Sequence, residues 1–285
     1  MQTLKEKPVA PKAAVATQVN SGSVAVINSA LLRQDSKHAI KLSSEDVTTP
    51  RLKALMATSP EINELPDAKP GMIFNTVTKK LYDGNAGIIV VPCAWVKQYV
   101  EWNDIGTGSG GPVRIYDANS DILSQTVRDE FNKDRTKSGT YIETNYNYFV
   151  LVLNNNLEYI DKGIVSMKST QLKKAKKWNA MMGSVFVKDE QGSFQPPIYT
   201  IMYKLKTVKE QNKRGTWIGW DVNFAFEDSD SIKTQQKSTV TDMNIYQQAR
   251  LFAESIAKGE TKIKPEDREE VEKTTELNMR CGPIQ

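Results

Sequence analysis

The feature that most constrains the fold is a long β-prone run, GIIVVPCAWVKQYVEW, from Gly87 to Trp102. Its first half is apolar at every position, as in a strand buried on both faces. Its second half alternates between apolar and polar residues, which places Ala94, Val96 and Val100 on one side together with Trp102. The run therefore predicts a long strand with two buried faces at its start and one at its end.

The elements that follow this run are predicted in a definite order. After the strand at 87–102 we expect strands at 141–153, 156–167, 197–207 and 216–226, with a helix at 169–182. In the 141–153 strand, Tyr146, Tyr148, Val150 and Val152 share one face, and Phe149, Leu151 and Leu153 share the other. A helix between the third and fourth of five strands is the order of an OB-fold barrel, although other α+β folds share it. The predicted class is thus mainly β (α+β), with an OB-fold-like five-stranded barrel and a C-terminal helix within 241–259.

The rest of the chain divides by composition. Residues 1–45 are predicted to form a disordered arm, in which AVINSALL is either a helical turn or a docking peptide. Residues 46–258 are predicted to form a single OB-like domain with insertions, and 259–285 a flexible tail. Within the domain we expect a short helix at 51–56 that ends before Ser59, a small hairpin over 72–82, a polar insertion at 119–139 with one short helix, and an extra short strand at SVFVK.

The residues that most enzyme sites require are scarce. The only histidine is His38, and the two cysteines, Cys93 and Cys281, make no disulfide framework, which favours a reducing cytoplasm. The glycine loop at 106–112 is followed by strand-like PVRIYD and has no P-loop lysine, so it predicts a connector. No apolar run reaches the roughly 18 residues of a membrane helix. We therefore expect no membrane contact, metal or other cofactor and no catalytic residue; a Mg²⁺-dependent nuclease using Asp and Glu stays open.

The predicted helix KSTQLKKAKKWNAMM, from Lys168 to Met182, separates apolar from basic residues. With about 100° between successive residues, one face carries Leu172, Ala175, Trp178, Asn179 and Met182. The opposite face carries Lys173, Lys174, Lys176 and Lys177. Ser169 or Thr170 is placed to cap its N-terminus. No acidic residue stands at the spacing that would offset the lysine repulsion within the helix, so this face either is simply solvated or meets a polyanion.

Positive charge is concentrated around this helix. The segment from Lys168 to Arg214 holds 11 basic and 3 acidic residues, while the whole chain has a net charge of +4. Such a concentration is the electrostatic footprint expected of a nucleic-acid-binding protein. The candidates for phosphate binding are Lys173, Lys174, Lys177, Lys204, Lys206, Lys213 and Arg214. The candidates for base stacking are Trp95, Tyr99, Trp102, Tyr203, Trp217 and Trp220, each of which could instead belong to the core.

Several stretches resemble phage-encoded single-stranded DNA-binding proteins. They are TPRLKALMATSPE, PGMIFNTVTKKLYDG, IIVVPCAWVKQYVEW, SMKSTQLKKAKKWNAMM and PPIYTIMYKLKTV, and they cover about residues 46–226. The resemblance implies an OB-type fold and binding of single-stranded DNA without base specificity, in phage replication or recombination in the host cytoplasm. Related phage proteins often end in an acidic tail that docks replication enzymes. Here residues 258–285 hold 7 acids and 6 bases, which departs from that pattern.

Two hypotheses from different classes therefore stand. The first is a non-enzymatic protein that coats single-stranded DNA, with replication or recombination proteins as further partners and self-association left open. The second is a structural or assembly protein of the virion, in which the lysine helix would be a protein interface or a contact to packaged DNA.

Overall fold

The computed structural model describes residues 33–38, 40, 47–104, 107, 111–212, 215–261 and 263. The chain separates into two units, Met1–Leu42 and Ser43–Gln285. In the first unit, Ser36–His38 form an exposed 3-10 turn that contains the single histidine. Most of the predicted arm and tail, and with them Cys281, lie outside the described residues.

The second unit is mainly β. Its strands are β1 (Leu52–Ala54), β2 (Ile73–Asn75), β3 (Leu81–Tyr82), β4 (Ile88–Trp102), β5 (Arg114–Asp117), β6 (Val127–Arg128), β7 (Asp134–Arg135), β8 (Tyr141–Leu153), β9 (Tyr159–Lys168), β10 (Val187–Asp189), β11 (Gly192–Phe194), β12 (Tyr203–Asn212) and β13 (Gly215–Phe224). Its helices are α1 (Glu61–Glu64), α2 (Leu172–Gly183), α3 (Ser231–Lys237) and α4 (Met243–Ala257). The five predicted long strands, the small hairpin and the helices α2 and α4 are all present.

The main sheet is antiparallel, curled and eight-stranded. Its strand order is β13-β12-β4-β8-β7-β6, with β5 paired to β4 and β9 paired to β8. The prediction of five strands was wrong because the polar insertion at 119–139 is not only a short helix. It contains β6 and β7, and together with β5 these strands extend the far end of the β4–β8 pair.

A β-bulge divides β4 into two parts. The pairing with β8 shifts between Pro92 and Ala94, so that Cys93 is an extra residue on the β4 side. Before the bulge, Val90 faces the concave side of the sheet; after it, Trp95 lies opposite Tyr148 on that same side. A bulge of this kind bends and twists a strand, which contributes to the curl of the sheet.

The concave side of the sheet holds the larger core. Trp178 of α2 is fully buried there, stacked on Tyr148 with ring centroids 4.2 Å apart and edge-on to Tyr203 at 5.7 Å. Leu52 and Ile73 enter the same core from the separate β1–β2–β3 sheet. The predicted shared face of β8 is confirmed, since Tyr148, Val150 and Val152 belong to this core and Tyr146 packs against it.

The convex side is covered by α4. Ile245 and Ala249 of that helix pack against a cluster that includes Val91 and Leu151. Phe252 meets the buried Phe149 edge-on, with ring centroids 6.0 Å apart. Cys93 belongs to the same cluster and is buried.

Three local predictions were wrong. The segment predicted as a helix at 51–56 contains β1, because its backbone pairs with β2 and the carbonyl of Pro50 accepts a hydrogen bond from Ile164 N of β9 at 2.8 Å. Helix α3 was missed although Asp230 caps it through bonds to Ile232 N and Lys233 N. Neither Ser169 nor Thr170 caps α2, because both lie in a 3-10 turn that precedes the helix. No helix of the described residues is long and apolar enough to cross a membrane.

Candidate nucleic-acid interface

Helix α2 presents the two faces that its sequence predicts. Ala175, Trp178 and Met182 are buried against the concave core, while Lys173 and Lys176 are exposed. The burial of Trp178 fixes how the helix is rotated about its axis. That rotation turns the basic face away from the core.

The start of α2 is tied to the β12–β13 ribbon through Glu210. Its Oε2 accepts hydrogen bonds from Gln171 Nε2 and from Trp217 Nε1, both at 2.8 Å, while Lys174 Nζ lies 3.2 Å from Oε1. Burial disfavours ionisation of Glu210, but the bonds from Gln171, Trp217 and Lys174 outweigh it and lower the pKa of this carboxyl below its ordinary value. Glu210 is thus held ionised at neutral pH beside the lysines.

The middle of α2 meets the same ribbon. Lys177 Nζ donates a hydrogen bond to Asn223 Oδ1 at 2.8 Å and lies 3.9 Å from Asp221 Oδ1. In the β12–β13 register, Lys204 lies opposite Asn223 and Lys206 lies opposite Asp221. The basic groups of the helix and those of β12 therefore lie on one continuous surface.

We call this region the lysine surface. It consists of Lys173, Lys174, Lys176, Lys177, Lys204 and Lys206. A shallow cavity of about 230 Å³ is lined by Lys204 and Lys206 together with Asn223, Phe224, Ala225 and Glu227. The sequence shows no acidic partner within α2, but Glu210 and Asp221 reach two of its lysines from the neighbouring ribbon. Glu210, Asp221 and Asn223 were not foreseen, because strand pairing brings them to the helix from a distant part of the chain. Glu210 lies 39 residues from Gln171, and Asn223 lies 46 residues from Lys177.

Four of the six rings predicted to stack on bases lie in the interior. Tyr203 and Trp220 belong to the concave core. Tyr99 and Trp102 are buried at the far end of β4, in clusters with Ile142 and Tyr141 respectively. Each of these four residues is at most 5% exposed and offers no face to a base, so these four assignments are corrected.

The other two rings reach the surface. Trp95 is 42% exposed and packs against Tyr146, with ring centroids 5.7 Å apart. Lys97, on the same side of β4, lies over the ring of Tyr99 at 4.6 Å. Trp217 is half-buried beside Glu210, at the edge of the lysine surface.

Lys213 and Arg214, also predicted to bind phosphate, lie outside the described residues.

Within the described ranges, no group of three or more His, Cys, Asp or Glu side chains is gathered as metal ligands. Burial raises the pKa of the Cys93 thiol to about 12, which keeps it protonated and unreactive at neutral pH. The arrangement of charge and rings is one that can bind an anionic polymer through phosphate contacts and ring stacking.

The described second unit is thus a mainly β protein with a curled antiparallel sheet and a lysine surface on one flank. The chain belongs to the Pam3 phage gp34-like protein family, whose model matches residues 21–262. It is therefore a phage protein. No curated protein and no solved structure matches it.

Proposed function

We propose that this phage protein binds single-stranded DNA without base specificity, through an OB-type barrel, and coats exposed strands during phage replication or recombination in the host cytoplasm. On this proposal it is a binding protein and not an enzyme. Its partners are the strand itself and the replication or recombination proteins that receive it.

The path of the chain through its long strands supports an OB-type barrel. β4, β8 and β9 form a meander, α2 follows, β12 returns to pair with β4, and β13 pairs with β12. This is the strand and helix order of the OB fold. The side between β9 and β13 is not closed by direct pairing; the residues around β1 lie there, with Arg51 bridged to Ile164 of β9.

The observation that carries the binding proposal is the convergence of α2 and β12. Lys177 reaches Asn223 and Asp221, whose partners across the ribbon are Lys204 and Lys206. Six lysines then share one surface with three acidic residues, Glu210, Asp221 and Glu227, an excess of positive charge that is suited to a row of phosphates. Trp217 at its edge and Trp95 on the concave side of β4 are the rings left available for bases.

The test is a titration of fluorescein-labelled oligo-dT followed by anisotropy at several salt concentrations. Wild-type affinity should fall with salt, and replacing Lys173, Lys177, Lys204 and Lys206 by Ala should reduce the slope by roughly 0.7 for each phosphate that is no longer neutralised. Lys233→Ala on α3 is the matched control, because that lysine is exposed outside the lysine surface. An affinity that does not vary with salt, or a quadruple variant that binds like wild type, would refute the proposal.

A second candidate is a virion structural or assembly protein, and one observation favours it. The β10–β11 hairpin pairs with no further strand among the described residues and exposes Phe186, Val187 and Phe194. An exposed apolar hairpin is typical of an interaction surface. Co-purification of the protein with virions would favour this candidate, whereas early synthesis and absence from virions would favour the DNA-binding one.

A further inference from the structure

A groove of about 800 Å³ opens beside Trp217, and we call it the Trp217 groove. One wall is the end of the β12–β13 ribbon, from Thr207 to Lys209 and from Thr216 to Ile218. The facing wall is made by the loops of the β1–β2–β3 sheet, at 56–57, 69–72 and 83–85. Its volume lies within the roughly 300–1,000 Å³ typical of ligand sites.

Thr207 holds the two walls in place. Its backbone N–H donates to the carbonyl of Gly84 at 2.9 Å, and its hydroxyl donates to the carbonyl of Gly71. A Cβ on Gly84 would collide with Thr207 Oγ1 and with the backbone of Gly71. The close approach of these backbones requires glycine and gives the groove a preformed shape.

The chemistry of the groove is apolar inside and basic at its edge. Met56, Met72 and Ile218 line it together with Trp217, and all four are half-buried. Lys69 and Lys209, also in the lining, are exposed. The one acid among the lining residues is Asp83, whose Oδ1 accepts bonds from the backbone N–H groups of Asn85 and Ala86.

The groove adjoins the lysine surface through a single residue. Trp217 lines the groove, and its Nε1 donates to Glu210, whose other oxygen lies 3.2 Å from Lys174 Nζ. A polymer that follows the lysine surface toward β13 therefore reaches the groove past Glu210, whose carboxylate already pairs with Lys174. Because the lysine surface and the Trp217 groove adjoin each other and both carry lysines, we expect the same polyanion to bind at both.

We propose that the Trp217 groove takes the unpaired bases of a single strand, with Trp217, Ile218 and the two methionines against the base faces and Lys69 and Lys209 on the phosphates. This inference rests on the proposed function and adds a second subsite, on the side of the β1–β2–β3 sheet. Methionine sulfur and aromatic rings pack well on the flat faces of bases, and lysine ammonium groups pair with the anionic phosphate backbone.

The test uses oligo-dT that contains 5-iodouracil, whose photochemistry couples it to aromatic and sulfur side chains. After irradiation of the full-length protein, mapping by mass spectrometry should find cross-links at Trp217, Met56 or Met72. The variant Lys69→Ala/Lys209→Ala should lower the salt slope of binding by roughly 0.7 for each lysine. Lys233→Ala/Lys258→Ala is the matched control, since neither of these exposed lysines lines the groove.

The outcomes separate the two proposals. If wild-type protein binds oligo-dT but cross-links only outside the groove, and the Lys69/Lys209 variant keeps the wild-type slope, the groove proposal is wrong and the binding function stands. If wild-type protein binds no oligo-dT at any salt concentration, both proposals are wrong. Cross-links in the groove together with the reduced slope support both.

Discussion

Gly219 shows how a single residue allows α2 to be joined to the ribbon. It lies on β13 opposite Val208, where a Cβ would fall 2.6 Å from Gln171 Nε2 and would also collide with Glu210 Oε2. The hydrogen bonds that join the start of α2 to Glu210 pass over this position. Glycine is needed here for space and not for an unusual backbone conformation.

We expect Gly219→Ala to destabilise the protein by about 1–2 kcal/mol, because the methyl group displaces the Gln171–Glu210 bond and leaves its groups poorly paired. Urea unfolding followed by circular dichroism measures the loss. The matched control is Gly183→Ala at the end of α2, where the nearest atom, Gln195 Nε2, lies 4.0 Å away. This control should be neutral or stabilise by about 0.4–1 kcal/mol. Equal stability of the two variants would contradict the steric argument.

Cys93 provides a chemical probe of the convex core. Its thiol is buried and has a pKa raised to about 12, so it is protonated at pH 8 and out of reach of reagents. In a Cys281→Ser background, we expect Ellman's reagent to label Cys93 at the rate of unfolding and no faster. Urea should therefore accelerate labelling steeply. Rapid labelling of the native protein would show that α4 does not seal this side.

At the scale of the element, α2 is anchored more by aromatic packing than by its own caps. No side chain caps its N-terminus, and its basic face contributes repulsion. Instead Trp178 stacks on Tyr148, and the Tyr148 hydroxyl donates to Asn179 Oδ1 at 2.8 Å and lies 3.0 Å from the carbonyl of Ala175. Tertiary packing of one face is the usual source of stability for a helix of this length.

We therefore expect Tyr148→Phe to cost about 0.5–1.5 kcal/mol, the net contribution of a typical hydrogen bond. Hydrogen exchange of the α2 amides should increase more than that of β8. Tyr146→Phe is the matched control, because its ring lies two residues away on the same strand face and is only half-buried. A larger effect at Tyr146 would contradict this account of how α2 is held.

At the scale of the whole molecule, one buried carboxylate of β9 joins several side chains of the β1–β2–β3 sheet to that strand. Asp161 is buried, and its Oδ2 accepts bonds from Asn75 Nδ2 at 2.8 Å, Thr78 Oγ1 at 3.0 Å and the Tyr82 hydroxyl at 2.8 Å. Burial and the bond to Asp161 raise the pKa of Tyr82, so its proton stays in place as a donor. Because this sheet forms one wall of the Trp217 groove, the carboxylate also supports the groove.

Asp161→Ala should destabilise the protein by about 3 kcal/mol, since a buried donor that loses its acceptor costs roughly 1–3 kcal/mol. Amides of β2 and β3 should exchange faster, while those at the centre of β8 change less. Glu158→Ala is the control, because that exposed carboxylate accepts a hydrogen bond from Asn154 within the same turn and does not join the two sheets. Unchanged exchange in β2 and β3 would show that other contacts hold the small sheet.

Much of the fold could be predicted because short-range patterns of apolar and polar residues determine its main elements. The alternation of β8 and the apolar face of α2 are short-range signals, and both are confirmed. The sequence PVRIYD already indicates the strand β5, but β6 and β7 could not be predicted, because they form by pairing with each other and with the far end of β8 and not by their own propensity. The prediction for segment 51–56 was wrong for the same reason, since its partners lie in β2 and β9.

The candidate site was predicted more reliably for charge than for rings. Lysines remain at the surface whatever the fold, so the basic segment could be recognised from composition alone. An aromatic ring in a β-rich chain fits a core or a binding surface equally well, and alternation puts Trp95 and Trp102 on opposite faces of β4 without showing which of the two is covered. The Trp217 groove is built from three separate stretches of chain, which no local pattern connects.

The extra residue at Cys93 has a consequence for how β4 tolerates a change of length. It lets one strand contribute its first half to two covered faces while its second half presents Trp95 beside Tyr148. Deleting Cys93 would remove the bulge and its bend, yet Trp95 would still lie opposite Tyr148, because the alternation from Pro92 through Ala94 would then be regular. A deletion of one residue elsewhere in β4 would instead exchange the two faces beyond that point, because side chains alternate along a strand with a period of two.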